Sequence, residues 1–141
     1  MKLGSLSSAR PSIYDRNASG SLLGYTGNSI APHALTTRFT QTIASGKKAV
    51  VESAFTQIWR DSAPGASGPF WGLVQLTSGA TTVNMVGVLT ATSTLYQGIA
   101  QTQAGQVTLY AGETIAGVTS DTSTGGTTAY WISAKLTVFD G

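Results

Sequence analysis

Apolar and polar residues alternate over short stretches along most of the chain, which is typical of β-strands that bury one face. The alternation is clearest near the C-terminus, where every second residue is apolar: Tyr130, Ile132, Ala134, Leu136 and Val138. Short stretches rich in Gly, Pro and Ser separate these segments, and no window repeats with the period of a helix. Eight strands are predicted, over residues 36–43, 47–60, 70–77, 81–89, 93–103, 107–110, 114–119 and 127–139.

Eight strands with regular turn signals predict an all-β fold, an eight-stranded antiparallel jelly-roll sandwich with an extended N-terminal arm. An up-and-down barrel is the alternative, because the sequence does not fix how the strands connect. In the second predicted strand one parity is expected to face the core: Ala49, Val51, Phe55 and Trp59. Ala104 and Gly105 predict a turn between two separate strands.

The N-terminal part of the chain differs from the rest. Residues 1–35 are rich in Ser, Gly and Asn, are interrupted by Pro11 and Pro32, and follow neither a strand nor a helix period. Such a segment cannot bury enough apolar surface alone to offset its ordering entropy. We therefore expect an arm over residues 1–35, with a disordered tail as the alternative, and a β-sandwich domain over residues 36–141. The arm residues predicted to contact a partner or neighbouring subunit are Tyr14, Leu22, Leu23 and Tyr25.

The chain is poor in charge. Charged residues make up 10% of it, against about 25% in ordinary soluble domains, so Ser, Thr, Gln, Asn and Gly must form the polar surface. Eight basic and six acidic residues give a formal charge of +2. The basic residues do not cluster as phosphate binding requires, so no nucleic-acid partner is expected. No apolar run reaches the length of a membrane span, and residues 1–5 lead into no signal sequence, so a soluble protein made in the cytoplasm is expected.

The titratable residues offer little chemistry. The single histidine, His33, can build neither a multi-histidine metal site nor a credible nucleophile–base pair. Cysteine is absent, so thiolate metal sites and disulfides are excluded. The oxygen-rich loop over residues 121–126 contains one carboxylate, which favours a loop capped by Asp121 over a calcium site. The sequence predicts no enzyme, and no catalytic, cofactor-binding or metal-binding residue.

Two tryptophans are candidates for a binding surface. Trp71 follows Phe70, and adjacent residues of a strand point to opposite faces, so one aromatic ring is expected outside the core. Trp131 lies on the parity opposite to the apolar stripe of the last strand. An exposed tryptophan can anchor a protein interface or stack on a sugar. Packing against the sheet surface is the alternative for both residues.

Two segments resemble the small jelly-roll head-decoration (cement) proteins of tailed bacteriophages. The segments are SGKKAVVESAFTQIWRDSA and AGETIAGVTSDTSTGGTTAYWISAKLTVFDG, and the resemblance covers roughly residues 40–141. Its motifs are a Gly-basic strand entry at residues 46–48, a turn at 109–113, a Thr/Ser/Gly loop at 119–126 and a closing Phe-Asp at 139–140. The late turn is also similar to that of trimeric tumour-necrosis-factor-like jelly rolls.

The resemblance implies a homotrimer on the outer surface of an icosahedral phage capsid, made in the host cytoplasm. Its partner would be the major capsid protein, and it would stabilise the shell by bridging capsid subunits without a cofactor. A carbohydrate- or receptor-binding jelly-roll module of a phage tail or fibre is the alternative. Such a module would use exposed Trp and Tyr side chains to hold sugar rings.

Overall fold

A computed structural model describes residues 19–30, 33–62, 68–91 and 96–141. These residues form eight strands: β1 (Ser19–Ile30), β2 (His33–Thr42), β3 (Lys47–Ser62), β4 (Pro69–Ser78), β5 (Thr81–Ala91), β6 (Tyr96–Tyr110), β7 (Thr114–Asp121) and β8 (Thr127–Asp140). They pair into two antiparallel four-stranded sheets. The first sheet has the order β1-β8-β3-β6 and the second the order β2-β7-β4-β5. The chain alternates between the two packed sheets, and this strand order is that of a jelly roll. The predicted fold class is therefore confirmed.

The core lies between the two sheets and follows the alternation of their strands. In β8 the predicted stripe faces inward, with Tyr130, Ile132 and Leu136 fully buried and Trp131 exposed between the first two. In β4 buried and partly exposed residues alternate without interruption from Phe70 to Leu76. Each large apolar side chain removed from water contributes about 1.5–3 kcal/mol before the entropy of ordering is counted. The sandwich is therefore stabilised mainly by these inward stripes.

Strand β3 contains a β-bulge that changes which of its residues face the core. Val51 lies opposite Leu136 of β8, but Ser53 lies opposite Lys135, so Glu52 is an extra residue on β3. Beyond it the buried residues fall on even numbers: Ala54, Thr56, Ile58 and Arg60. The prediction that Phe55 and Trp59 face the core is therefore wrong. Both lie on the outer face and are partly exposed.

The turn predicted at Ala104 and Gly105 is also wrong, because β6 runs through both residues. The register moves from Val51↔Val107 to Ser53↔Ala104, so β6 carries an irregularity at this point. A glycine inside a strand often marks such an irregularity instead of a chain reversal. The two strands predicted over residues 93–103 and 107–110 are one element, β6, from Tyr96 onward; residues 93–95 lie outside the described residues.

Part of the predicted arm belongs to the sheets. Residues 19–30 form β1, which pairs with β8 along its whole length, from Ser19↔Val138 to Ile30↔Thr127. Residues 33–35 begin β2, which pairs with β7. Residues 1–18 lie outside the described residues, so an arm formed by them stays a prediction.

The close approach of the two sheets at Gly72 gives the first testable prediction. A Cβ atom on Gly72 would lie 3.0–3.1 Å from side-chain atoms of Ile58, Ile132 and Thr56. Gly72→Val adds two further methyl groups there, and we expect overpacking to lower the free energy of unfolding by about 1–3 kcal/mol. The measurement is urea denaturation followed by tryptophan fluorescence.

The same substitution at Gly20 is the control, because a Cβ atom there meets no atom within 4 Å. Gly20→Val should change the unfolding free energy by less than about 0.5 kcal/mol. Equal stability of the two variants would contradict a tight contact between the sheets at Gly72.

Candidate interaction surface and buried polar centre

A buried ion pair joins the two sheets at one end of the sandwich. Arg60 comes from β3 of the first sheet and Asp121 from the end of β7 in the second. Both side chains are fully buried, and Arg60 Nη2 lies 3.6 Å from Asp121 Oδ1. The guanidinium also stacks on Phe70 of β4, with Cζ 4.1 Å from the ring centroid. Arg60 faces the interior because the bulge at Glu52 reverses which residues of the following part of β3 point inward.

Asp121 also organises the loop between β7 and β8. Its Oδ1 accepts hydrogen bonds from Ser123 N at 3.0 Å and from Ser123 Oγ, and its Oδ2 accepts one from Thr128 Oγ1. Arg60 Nη1 donates to Ser123 Oγ at 2.9 Å. The loop predicted to be capped by Asp121 is confirmed, and Ser123 connects the two charged groups. Among the described residues, no three His, Cys, Asp or Glu side chains are grouped closely enough to hold a metal ion.

The electrostatics of this centre favour a charged Asp121. Burial by itself would raise the pKa of Asp121, but hydrogen bonds from Ser123 and Thr128 and the charge of Arg60 hold it below the ordinary value. Burial, followed by the charge of Asp121, raises the pKa of Tyr130. Tyr130 is therefore a neutral donor, and its hydroxyl donates to the Ser120 carbonyl at 3.3 Å. The buried charges of Arg60 and Asp121 therefore balance each other, and the centre connects the two sheets.

The first sheet carries an aromatic face on its outer surface, which we define by Leu22 of β1, Phe55 and Trp59 of β3, and Trp131 of β8. Leu22 is 77% exposed and Trp131 is 49% exposed. The rings of Phe55 and Trp131 meet edge to face, with centroids 5.3 Å apart and planes at 66°. That contact holds the Trp131 ring in place while half of it stays in water. An exposed indole held by Phe55, on the same outer face as the exposed Leu22, is a candidate interaction surface.

Two of the predicted partner-binding residues, Leu22 and Trp131, lie on the aromatic face, where Leu22 is opposite Lys135 and Trp131 is opposite Thr26. Leu23 and Tyr25 instead point inward and pack against the core, and the guanidinium of Arg38 lies 4.5 Å from the Tyr25 ring centroid. Trp71 is partly buried on the outer face of the second sheet.

Tyr14 lies outside the described residues. Phe55 and Trp59 belong to the aromatic face and not to the predicted core, because the bulge at Glu52 reverses the parity of β3 before them. The adjacent polar residues Glu52 and Ser53 are the one signal in the sequence that could have revealed the change.

Three other carboxylates are engaged by neighbouring side chains or backbone groups. Glu113 accepts hydrogen bonds from Ser78 Oγ at 2.7 Å and Tyr110 N at 2.9 Å. The Ser78 bond, followed by that of Tyr110, lowers the pKa of Glu113. Glu52 accepts from Thr137 Oγ1 at 3.2 Å. Asp140 pairs with Lys47 at the surface.

Comparison with known proteins gives a likeness of fold only. No family model and no curated protein matches the chain. A structure of infectious bursal disease virus Gx strain shows 9% identity and a TM-score of 0.40, covering 90% of this chain and 33% of that chain. A structure of the Gt strain shows 12% identity and a TM-score of 0.38, covering 90% of this chain and 34% of that chain.

A crystal structure of the infectious bursal disease virus VP2 subviral particle gives 11% identity and a TM-score of 0.33, covering 89% of this chain and 38% of that chain. The present chain therefore spans about one third of the length of these viral proteins. At such identities and TM-scores the likeness carries no argument about function.

Within the described residues, no helix is long and apolar enough to cross a membrane.

The buried ion pair generates the second prediction. Asp121→Asn keeps the size of the side chain but leaves Arg60 charged and buried, and Arg60 Nη2 has no hydrogen-bond partner among the described atoms. We expect the free energy of unfolding to fall by about 3 kcal/mol. Asp140→Asn is the matched control, since its pair with Lys47 is exposed and should cost less than about 1 kcal/mol. Denaturant titration of both variants at pH 7 measures the difference.

The buried ion pair also predicts how the free energy of unfolding changes as the pH falls. The pKa of Asp121 is lower in the folded protein than in the unfolded chain, so the unfolded chain binds its proton at a higher pH. The contribution of Asp121 to stability is therefore present above about pH 4 and is lost as the pH falls through the folded-state pKa. Asp121→Asn should flatten the loss of stability below pH 4. An unchanged pH profile would show that Asp121 does not titrate in this way.

Proposed function

We propose that the protein is a virion structural protein that binds the outside of an icosahedral phage capsid and stabilises it by bridging major-capsid subunits. The observation that carries the proposal is the aromatic face, where Leu22 and Trp131 are exposed on a rigid sheet. The likeness of residues 40–141 to phage head-decoration proteins supplies the kind of partner. No cofactor and no catalytic activity belong to the proposal.

The physical properties of the aromatic face suit binding to a large protein lattice. Tryptophan and its well-packed neighbours dominate the energy of many interfaces, because they bury much area and lose little side-chain entropy. Strands β1, β3 and β8 hold the side chains in place, so little ordering is needed on binding. Lys135 on β8 adds a charge between Leu22 of β1 and Ser53 of β3 in the register. A partner surface with an apolar pocket and an acidic group would match this arrangement.

The proposal includes a homotrimer whose sandwich domains and N-terminal segments contact neighbouring capsid subunits. Several weak contacts on one lattice reinforce one another through effective concentration. A protein that binds only the assembled shell also shifts the equilibrium toward that shell. The protein would be made in the host cytoplasm and would reside on the outer surface of the virion.

The third prediction tests the aromatic face. Trp131→Ala should weaken binding to undecorated, expanded heads at least tenfold, which corresponds to about 1.4 kcal/mol or more. Tyr110→Ala is the control, because Tyr110 is 59% exposed but lies at the C-terminal end of β6, opposite Lys48 and far along the sheet from Phe55. Co-sedimentation of purified protein with heads measures both, and circular dichroism verifies folding. Equal affinity of Trp131→Ala and the unmodified protein would refute the proposed surface.

The fourth prediction concerns the N-terminal segment. Removal of residues 1–18 leaves β1 intact, whereas a longer deletion would remove an edge strand of the first sheet. If this segment contacts a neighbouring subunit, the shortened protein should bind heads more weakly and protect them less against heating. Unchanged head binding and unchanged heat resistance would exclude the arm from the proposal. The melting temperature of the free protein controls for damage to the sandwich.

A carbohydrate- or receptor-binding module is the second candidate, and the half-exposed ring of Trp131 favours it. A fixed indole face can stack on a sugar ring. A glycan array separates the candidates: saturable binding that disappears in Trp131→Ala, together with no binding to heads, would replace the capsid proposal. Trp71→Ala tests the other tryptophan in the same assay.

A further inference from the structure

One side of the sandwich is made only of uncharged residues. Between Asp61 and Glu113 the sequence contains no Asp, Glu, Lys, Arg or His. That interval includes the whole of β4, β5 and β6. β5 is an edge strand of the second sheet and β6 an edge strand of the first, and the two strands contact each other. Both sheets therefore end, on this side, in a strand without charge.

Uncharged edge strands are unusual because an exposed edge presents unpaired N–H and C=O groups to other chains. Proteins commonly protect such edges with Lys, with Pro, with inward-pointing charges or with β-bulges. β5 carries none of these residues, and within the described part of the chain no strand pairs with its outer edge. Its register with β4 shifts between Val74 and Gln75, which places the irregularity at Met85 and leaves residues 81–84 regular. These four residues are all exposed.

We infer that β5 is a self-association surface, where β5 of one copy pairs antiparallel with β5 of a second copy. Two identical strands related by a twofold axis place each residue opposite its own equivalent or a near neighbour. A charged residue near the axis would then face the same charge, which is destabilising. A strand without any charge avoids this penalty. The uncharged interval therefore favours a second copy of this chain as the partner.

The exposure of Val83 favours a pairing centred on this residue. Val83 is 53% exposed, although it lies opposite the buried Leu76 on the inward side of the second sheet. With the axis at Val83, the two Val83 side chains meet and Thr82 lies opposite Asn84 of the second copy. On the outer face Thr82 and Asn84 already bond to Thr77 at 2.9 Å and Gln75 at 3.0 Å. The pairing thus joins the two second sheets through neutral groups.

This twofold contact goes beyond the proposed function, since it does not involve the aromatic face or a capsid protein. In the trimer proposed above it would connect copies that belong to neighbouring trimers. The side of the sandwich formed by β1 and β2 differs. β1 also contains no charged residue, but β2 contains Arg38, and Ser21 Oγ donates to Gln41 Oε1 at 3.3 Å across the two sheets.

The fifth prediction tests the contact with Thr82→Lys. A symmetric contact contains the new charge twice, so the association constant, measured by sedimentation velocity over a range of concentrations, should fall at least tenfold. Thr40→Lys is the matched control, because Thr40 is exposed on β2, the other edge strand of the same sheet. It should leave association unchanged. Absence of concentration-dependent association in the unmodified protein, or an equal effect of the two variants, would overturn the inference.

Cross-linking provides a second measurement that does not depend on a charged variant. The chain contains no cysteine, so Val83→Cys introduces a single thiol. Antiparallel pairing centred on this residue brings the two thiols within disulfide distance, and mild oxidation should give a covalent dimer. Leu35→Cys, exposed on β2, should not. Head binding of Thr82→Lys is measured in parallel, so that failure of self-association and failure of capsid binding are recorded separately.

Discussion

A single extra residue in β3 determines both the interior and the surface of this jelly roll. The bulge at Glu52 shifts the alternation, so that Arg60 enters the core and Phe55 and Trp59 move to the outer face. Without the shift, a guanidinium would face water and two aromatic rings would compete for the space between the sheets. The inward guanidinium requires a buried counter-charge, which Asp121 supplies from the other sheet. Bulges of this kind redirect side chains at a small cost in strand pairing.

The fold could be predicted from the sequence in those strands where apolar and polar residues alternate without a bulge. β8 shows this, because its stripe from Tyr130 to Val138 follows one parity without a bulge. β3 and β6 show the limit, because a local irregularity reverses the parity without changing the composition. The sequence does not reveal β1, because its Ser and Gly residues weaken the strand pattern and its pairing with β8 is a tertiary contact.

The candidate site could be predicted only in part, because alternation within a strand is visible in the sequence and contacts between distant strands are not. Trp131 could be placed outside the core by parity alone. Arg60 and Asp121 are far apart in the sequence, and Arg60 is followed directly by Asp61, which offers a simpler local pair. Only the folded arrangement of β3 and β7 shows which carboxylate the guanidinium contacts. The sequence between Asp61 and Glu113, which includes β4, β5 and β6, contains no charged residue.

The pairing of β1 with β8 has a mechanical consequence. Residues 1–18 continue from Ser19, which lies opposite Val138 at one end of an edge strand. A load that pulls this segment away from the sheet would break the β1–β8 hydrogen bonds one pair after another. A load along the strand axis would have to shear all of them together. The direction in which the segment leaves the domain therefore determines how much tension the domain transmits before β1 detaches.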